Sequence, residues 1–247
     1  TSYVLGIPHP PGTPLYVLIG KLFTMAPISE ISARVNYLSS LASSLAALFT
    51  FLVIVKLVRS WWRGRPQNRL DHLIAVGAGF VGAFFTAFGR TFWENAVEAE
   101  VYALSSLVMI LCVWLALKWE ESERPDGTER NNNLLLLIGY LLFVSIGIHM
   151  GTFLVALPIL VFVLLVSWRT VINADTLMTL LWMWVGIAVF YLCMGVGVPV
   201  GGALALGAAT FAVMVAGRWR RLGEHNLAFW LIALAVVGLS VQLFLLV

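Results

Sequence analysis

His9, Arg34, Asn36, Arg90, Glu98, Glu100, Tyr102 and His149 border or interrupt apolar runs, and their types could carry chemistry. Ionisable groups at membrane depth are costly and need a partner or a task. Glu98 and Glu100 could take a proton from a hydroxyl nucleophile. Arg34 and Arg90, with the imidazoles of His9 and His149, could stabilise a departing phosphate. A carboxylate base, phosphate-binding cations and lipid-facing walls suit one reaction type: transfer of a sugar from a polyprenyl phosphate to an acceptor hydroxyl. For each residue alone, the alternative is an interfacial anchor or a structural ion pair.

His9 lies in Ile7-Pro8-His9-Pro10-Pro11-Gly12-Thr13-Pro14, where four prolines fall in seven positions. Such a run holds the backbone near extended geometry and removes amide donors. It suits a rigid wall outside a membrane span better than a span. Thr13 reads as a helix N-cap with Pro14 at the first helical position, so a short apolar helix is expected over Leu15–Met25.

The surroundings are those of a membrane protein. Hydrophobic residues make up 61% of the chain, charged residues 11%, and mean hydropathy is +0.95. That composition excludes an ordinary soluble domain. Cys112 and Cys193 fall inside apolar runs and argue for neither a disulfide framework nor a metal site. No metal is called for, no cofactor is required, and no Lys/Arg-rich block suggests nucleic acid.

Runs able to cross about 30 Å of hydrocarbon occur near 34–57, 72–89, 99–117, 133–149, 151–168, 176–194, 200–217 and 226–247. With the His9 loop outside, twelve Lys/Arg residues fall in cytoplasmic loops, and only Lys21, Arg34 and Arg90 stay outside. That asymmetry supports this orientation and the eight-span count. The outer helix ends then bring Arg34, Asn36, Arg90, Glu98, Glu100 and His149 to one level of the membrane.

Two geometries are open for the loop from Arg90 to Tyr102. If the third span already runs through Glu94, then Glu98 and Glu100 point about 160° apart, at roughly 100° per residue. Both carboxylates can face one site only if that helix begins near Val101. Ser39, Ser40, Ser43, Ser44 and Ala47, and Ala75, Gly79 and Ala83, form rows of small residues that mark helix contacts. Gly195–Gly202 reads as an outer turn or the break of a discontinuous helix. Trp61, Trp62, Trp93, Trp119, Trp168 and Trp219 lie at span ends, where indoles settle among headgroups. The charged segment Glu120 to Asn133 reads as a solvated cytoplasmic loop.

Several of these elements occur together in a known family. Leu5 to Tyr16, Arg34-Val35-Asn36, Phe92-Trp93, Glu100-Val101-Tyr102-Ala103-Leu104 and His149 resemble bacterial relatives of the eukaryotic transmembrane protein O-mannosyltransferase that modifies plexin-type receptors. These belong to the GT-C superfamily of polytopic glycosyltransferases. The resemblance covers about residues 1–168 and implies an inverting transferase, with its site on the extracytoplasmic side and a polyprenyl-phosphate sugar as donor. In it, Glu100 and Tyr102 match a Glu-Val-Tyr element of the second outer loop, and His9 matches the first-loop histidine. Relatives carry their presumed catalytic acid upstream of the His-Pro-Pro element, a position that would precede Thr1. The start at Thr1 and the end within an apolar run read as a piece of a longer protein.

The expectation is therefore an all-α polytopic membrane helix bundle, GT-C-like, with about eight spans and a short outer helix in one transmembrane domain over 1–247. Candidate catalytic residues are Glu100 and Glu98, with the main base expected upstream of Thr1; candidate substrate-binding residues are His9, Arg34, Asn36, Arg90, Tyr102 and His149. Expected partners are membrane lipid, a lipid-linked sugar donor, a protein or glycan acceptor and other membrane subunits. The expected location is a bacterial plasma membrane, with the site facing the periplasm or exterior. A non-catalytic subunit of a larger membrane complex is the alternative; a transporter is a third reading, weakened by the lack of an internal repeat.

Overall fold

A computed structural model describes residues 1–6, 13–64, 66–122, 131–216 and 226–240. His9 with its proline run, and Trp219, lie outside the described residues. Among the described residues all regular structure is helical. The helices are α1 (Pro14–Thr24), α2 (Ile31–Trp61), α3 (Arg69–Ala87), α4 (Arg90–Val97), α5 (Val101–Glu121), α6 (Asn133–Ser145), α7 (Ala156–Val171), α8 (Ala174–Gly195), α9 (Val200–Ala216) and α10 (Leu227–Ser240). Single 3-10 turns occupy Ser2–Val4 and Met150–Val155.

Each of the eight expected spans coincides with a helix. Five are long and apolar enough to cross a membrane: Ile31–Trp61, Arg69–Ala87, Val101–Glu121, Met150–Val171 and Ala174–Gly195. The expected span 133–149 needs correction. Its helix, α6, has only 13 residues, a rise of about 20 Å that falls short of the hydrocarbon thickness. The chain turns at Ile146–Ile148, and His149 is extended (φ −162°, ψ 129°) before the second 3-10 turn. α9 and α10 are apolar but also shorter.

The chain divides into two compact units, Thr1–Leu160 with Leu234–Val247, and Val161–Ala233. In the first, α2 is the central strut, flanked by α3 and α5. Its 31 residues rise about 46 Å, so its ends extend past the hydrocarbon. The small-residue rows act as contacts in part: Ser39, Ser43, Ala75 and Gly79 are buried, whereas Ser44 is exposed. Ser39, Ala42, Ser43 and Ala46 form the buried face of α2. A methyl on Gly79 of α3 would come within 2.6 Å of Val55 Cγ2 and 2.8 Å of Phe51 Cδ2. Asn68 and Asp71 form a reciprocal capping box at the start of α3, with bonds of 2.9 and 3.0 Å. Ser40 Oγ donates to the Ala96 carbonyl (2.8 Å), tying α4 to α2.

Trp119 departs from the interfacial role expected of it. It is fully buried, and its indole N–H donates to Asn132 Oδ1 at 3.2 Å. Trp61, Trp93 and Trp168 are exposed as expected. Glu120 and Glu121 belong to the last turn of α5 rather than to a loop, and both are ion-paired.

The second unit is built on an α8–α9 hairpin. Gly195 ends α8, Gly197 takes the left-handed φ of +83°, and α9 starts at Val200, so Gly195–Gly202 is a turn between packed helices. A methyl on Gly186 would lie 2.8 Å from the Gly207 carbonyl oxygen, and one on Gly207 would lie 2.7 Å from that of Gly186. Trp182 and Val215 form a small core with Met178, Phe211 and Phe229. Asn226 Nδ2 donates to Thr179 Oγ1 at 2.7 Å.

Candidate functional site

The site grows out of the connections between α1, α2, α4 and α5. α4 stops at Val97, Glu98 is extended, and α5 begins at Val101 with Glu100 as its N-cap (φ −124°, ψ 156°). The later of the two possible helix starts is the one the chain adopts. Between the helices the Glu100 amide donates to the Glu98 carbonyl at 2.9 Å. Glu100 makes no capping hydrogen bond through its side chain, so its carboxylate is not committed to the amides of α5.

α1 is held against the segment that carries His149. Thr13 is its N-cap and Pro14 opens it, as expected, but the Thr13 side chain accepts no capping bond. The amides of Leu15 and Tyr16 instead donate to the Gly147 carbonyl, at 2.8 and 3.4 Å. Two residues further on, His149 Nδ1 accepts the Gly151 amide at 3.1 Å. A neutral imidazole that accepts at Nδ1 carries its proton on Nε2 and can donate there. The His149 ring meets Tyr102 edge-on, with centroids 5.3 Å apart. A methyl on Gly151 would lie 2.8 Å from Nδ1, so glycine at this position leaves room for the imidazole.

These segments enclose a cavity of about 840 Å³, a size suited to a small-molecule ligand. Asn36, Glu100, Tyr102 and His149 all line it, together with Tyr16 and Ser32. Four of the residues chosen from the sequence are thus brought together. The first turn of α2 (Ile31, Ser32) and that of α5 (Val101, Tyr102) both border the cavity. Neither helix has a side-chain N-cap bond, so two sets of first-turn amides, at the positive ends of two helix dipoles, lie beside it.

The structure places three other candidates elsewhere. Arg34 does not line the cavity. Its guanidinium laces the α1–α2 loop, with Nε donating to the Ile28 carbonyl (2.6 Å), Nη1 to that of Thr24 (2.8 Å) and Nη2 to that of Ser29 (2.9 Å). Ser29 has a φ of +53°, a conformation unusual outside glycine, and Arg34 spans that bend. Arg90 pairs with Glu94 one turn along α4 (2.9 Å), on an exposed face. Glu98 is exposed in the α4–α5 connection, outside the cavity lining.

Sequence reasoning passed over Tyr16, although it lies in the proline-led run. Tyr16 is 7% exposed, and neither its hydroxyl nor the adjacent Ser39 Oγ, both buried, completes a hydrogen bond of good geometry. Burial pushes the Tyr16 phenol up; Ser39 beside it pulls it partly back, and the Glu100 charge pushes it up further. The phenol therefore stays protonated, a donor in the cavity wall. Ser32 could have been found from its i, i+4 relation to Asn36 on α2. The N-terminal turn also contributes to the wall, and Lys21 anchors it by donating to the Tyr3 carbonyl at 2.8 Å. Among the described residues no group of three or more His, Cys, Asp or Glu could hold a metal ion.

Comparison with known proteins places the chain in a family. The chain is 30% identical to protein O-mannosyl-transferase TMEM260 of Mus musculus over 122 residues, which is 49% of this chain and 15% of the mouse protein. It is 23% identical to protein O-mannosyl-transferase tmem260 of Dictyostelium discoideum over 134 residues, 53% of this chain and 14% of that protein. The chain thus aligns with about one seventh of the length of each relative. No solved structure matches it. The family model described as the protein O-mannosyl-transferase TMEM260 N-terminal domain matches residues 1–173, the part that contains the whole cavity. That match covers well over half of the sequence, and the chain belongs to the TMEM260 N-terminal domain family of protein O-mannosyl-transferases.

Proposed function

We propose that this chain is the catalytic membrane portion of a GT-C-type glycosyltransferase, moving a sugar from a polyprenyl-phosphate donor to an acceptor hydroxyl. Mannose is the sugar and a protein hydroxyl the acceptor, by analogy with the names of its relatives. The observation that carries this reading is the meeting of Glu100, Asn36, Tyr102 and His149 in one cavity at the ends of membrane-spanning helices.

Among the described residues Glu100 is the carboxylate that takes the proton of the acceptor hydroxyl as the oxygen attacks the sugar's anomeric carbon, the role that the family resemblance gives to an acid preceding Thr1. The bond from that carbon to the phosphate oxygen breaks, and its electron pair leaves with the polyprenyl phosphate. The growing negative charge meets the first-turn amides of α2 and α5 and the Nε2–H of His149. In this reading Asn36, which lines the cavity, holds sugar oxygens. Arg34 acts at one remove, by fixing the loop that leads into α2. Arg90 and Glu98 lie outside the cavity lining and take no direct part in the transfer.

The excess of Lys and Arg at the opposite helix ends supports an extracytoplasmic site; the bacterial plasma membrane is proposed on the family resemblance. The donor class is tested by giving the full-length protein, in lipid, either polyprenyl-phosphate mannose or a nucleotide-activated mannose, with a hydroxyl-bearing peptide as acceptor. Mannosylated peptide is expected from the lipid-linked donor alone. Turnover of the nucleotide sugar in place of the lipid-linked donor contradicts the reading. Stable binding of the lipid-linked donor without any turnover would favour a non-catalytic subunit instead.

A further inference from the structure

A second cavity lies at the other end of the α2–α5 pair. It measures about 430 Å³ and is lined by Lys56, Arg59, Arg63, Trp114, Lys118 and Glu121, among others. Asn36 and Lys56 both lie on α2, 20 residues apart, which at 1.5 Å per residue is about 30 Å. That separation equals the hydrocarbon thickness, so this cavity sits at one membrane interface when the Glu100 cavity sits at the other. Trp114, which the Lys118 ammonium approaches to 5.8 Å from the ring centroid, suits such a level.

Among the described residues the local charge is unbalanced. Lys56 and Lys118 share Glu121, and Arg63 forms a two-pronged pair with Glu120, its Nη2 at 3.0 Å from Oε2. Arg59 lines the same cavity and has no carboxylate partner among the described residues. Among the described residues, four cations therefore face two carboxylates. The Lys56 side chain is only 11% exposed, so its charge is held at the cavity rather than lost to solvent. A site of this kind, open at a membrane interface, complements a phosphate attached to lipid.

We propose that this cavity binds the phosphate of an anionic phospholipid headgroup. Arg59 is the direct partner of the phosphate, and Lys118 and Lys56 supply the surrounding positive field. The lipid tethers the end of the α2–α5 pair remote from the Glu100 cavity. The proposal stands independently of the reaction assigned to that cavity.

The test uses the full-length protein in nanodiscs of phosphatidylcholine alone, of an equimolar phosphatidylcholine–phosphatidylglycerol mixture, or of phosphatidylcholine with inorganic phosphate added. Thermal unfolding and the phospholipid retained after delipidation are read for the wild type, Arg59→Ala and Arg69→Ala. Arg69 lies at the start of α3, is exposed and does not line the cavity. Phosphatidylglycerol is expected to raise the unfolding temperature of the wild type and of Arg69→Ala. Arg59→Ala should fold, yet retain about fivefold less phosphatidylglycerol, the factor for one cation near an anionic lipid surface. Equal retention by Arg59→Ala and the wild type overturns the proposal. Stabilisation by inorganic phosphate to the same degree also overturns it, because the site would then take a soluble anion.

Discussion

Glu100→Gln is expected to lower sugar transfer by about 10²- to 10⁴-fold, the usual contribution of a general base, with little change in KM. The substitution preserves shape and removes the ability to accept a proton. It should leave the fold intact, because Glu100 is exposed and contributes no capping bond to α5. Glu94→Gln is the matched comparison, on α4 just before the α4–α5 connection. It removes only an exposed i, i+4 pair with Arg90, which contributes little to stability, and transfer should be unchanged. Equal losses in the two variants would mean that this segment tolerates no change, and Glu100 would lose its assigned role.

Gly186→Leu is expected to give the largest loss of stability in the chain. The α8 and α9 backbones approach so closely at Gly186 and Gly207 that even a methyl at Gly186 would lie 2.8 Å from a carbonyl oxygen and 3.4 Å from Phe211 Cβ. Neither neighbour can swing away as a flexible side-chain tip could, so the helices must part. Overpacking commonly costs about 1–3 kcal/mol, and here the separation also opens the Trp182–Val215 core and strains the Asn226–Thr179 bond. Thermal unfolding, with limited proteolysis between residues 161 and 233, should report a loss at the top of that range or beyond. Gly201→Leu is the control, since a Cβ there meets nothing within 4 Å. An unfolding temperature unchanged by Gly186→Leu would show that the hairpin does not depend on this contact.

Much of the fold is legible in the sequence because the bilayer imposes a simple rule. Hydropathy locates all eight helices to within a few residues, and small residues mark the buried face of α2 and the contact at Gly79. Hydropathy is blind to where backbone geometry breaks a run. Leu142 to Leu160 is apolar almost throughout, yet Gly147, the extended His149 and Gly151 divide it and turn His149 into the cavity wall. Periodicity likewise could not choose a start for α5, because both registers place polar residues on an exposed face.

The candidate site was legible in part. Asn36, Glu100, Tyr102 and His149 converge because each sits at a helix end on one level of the bundle, which topology alone can anticipate. Arg34 shows what topology misses. Its charge suggests phosphate binding, but its guanidinium is taken up by three carbonyls of a loop whose bend at Ser29 is invisible in the sequence. Tyr16 shows the reverse. As one aromatic residue in an apolar helix it reads as core, and only the packing of α1 against α2 reveals a buried phenol beside Glu100 without a partner.

The central claim is that the cavity between the first turns of α2 and α5 holds the sugar donor. Photolabelling tests it most directly, using polyprenyl-phosphate mannose with a photoactivatable group on the sugar, the full-length protein in lipid, and peptide mapping of the adduct. Label is expected within residues 31–36, 99–102 and 146–150, suppressed by unmodified donor and reduced in His149→Ala. Label confined to α4 or to the Lys56–Lys118 cavity, or label that unmodified donor does not displace, would contradict the account.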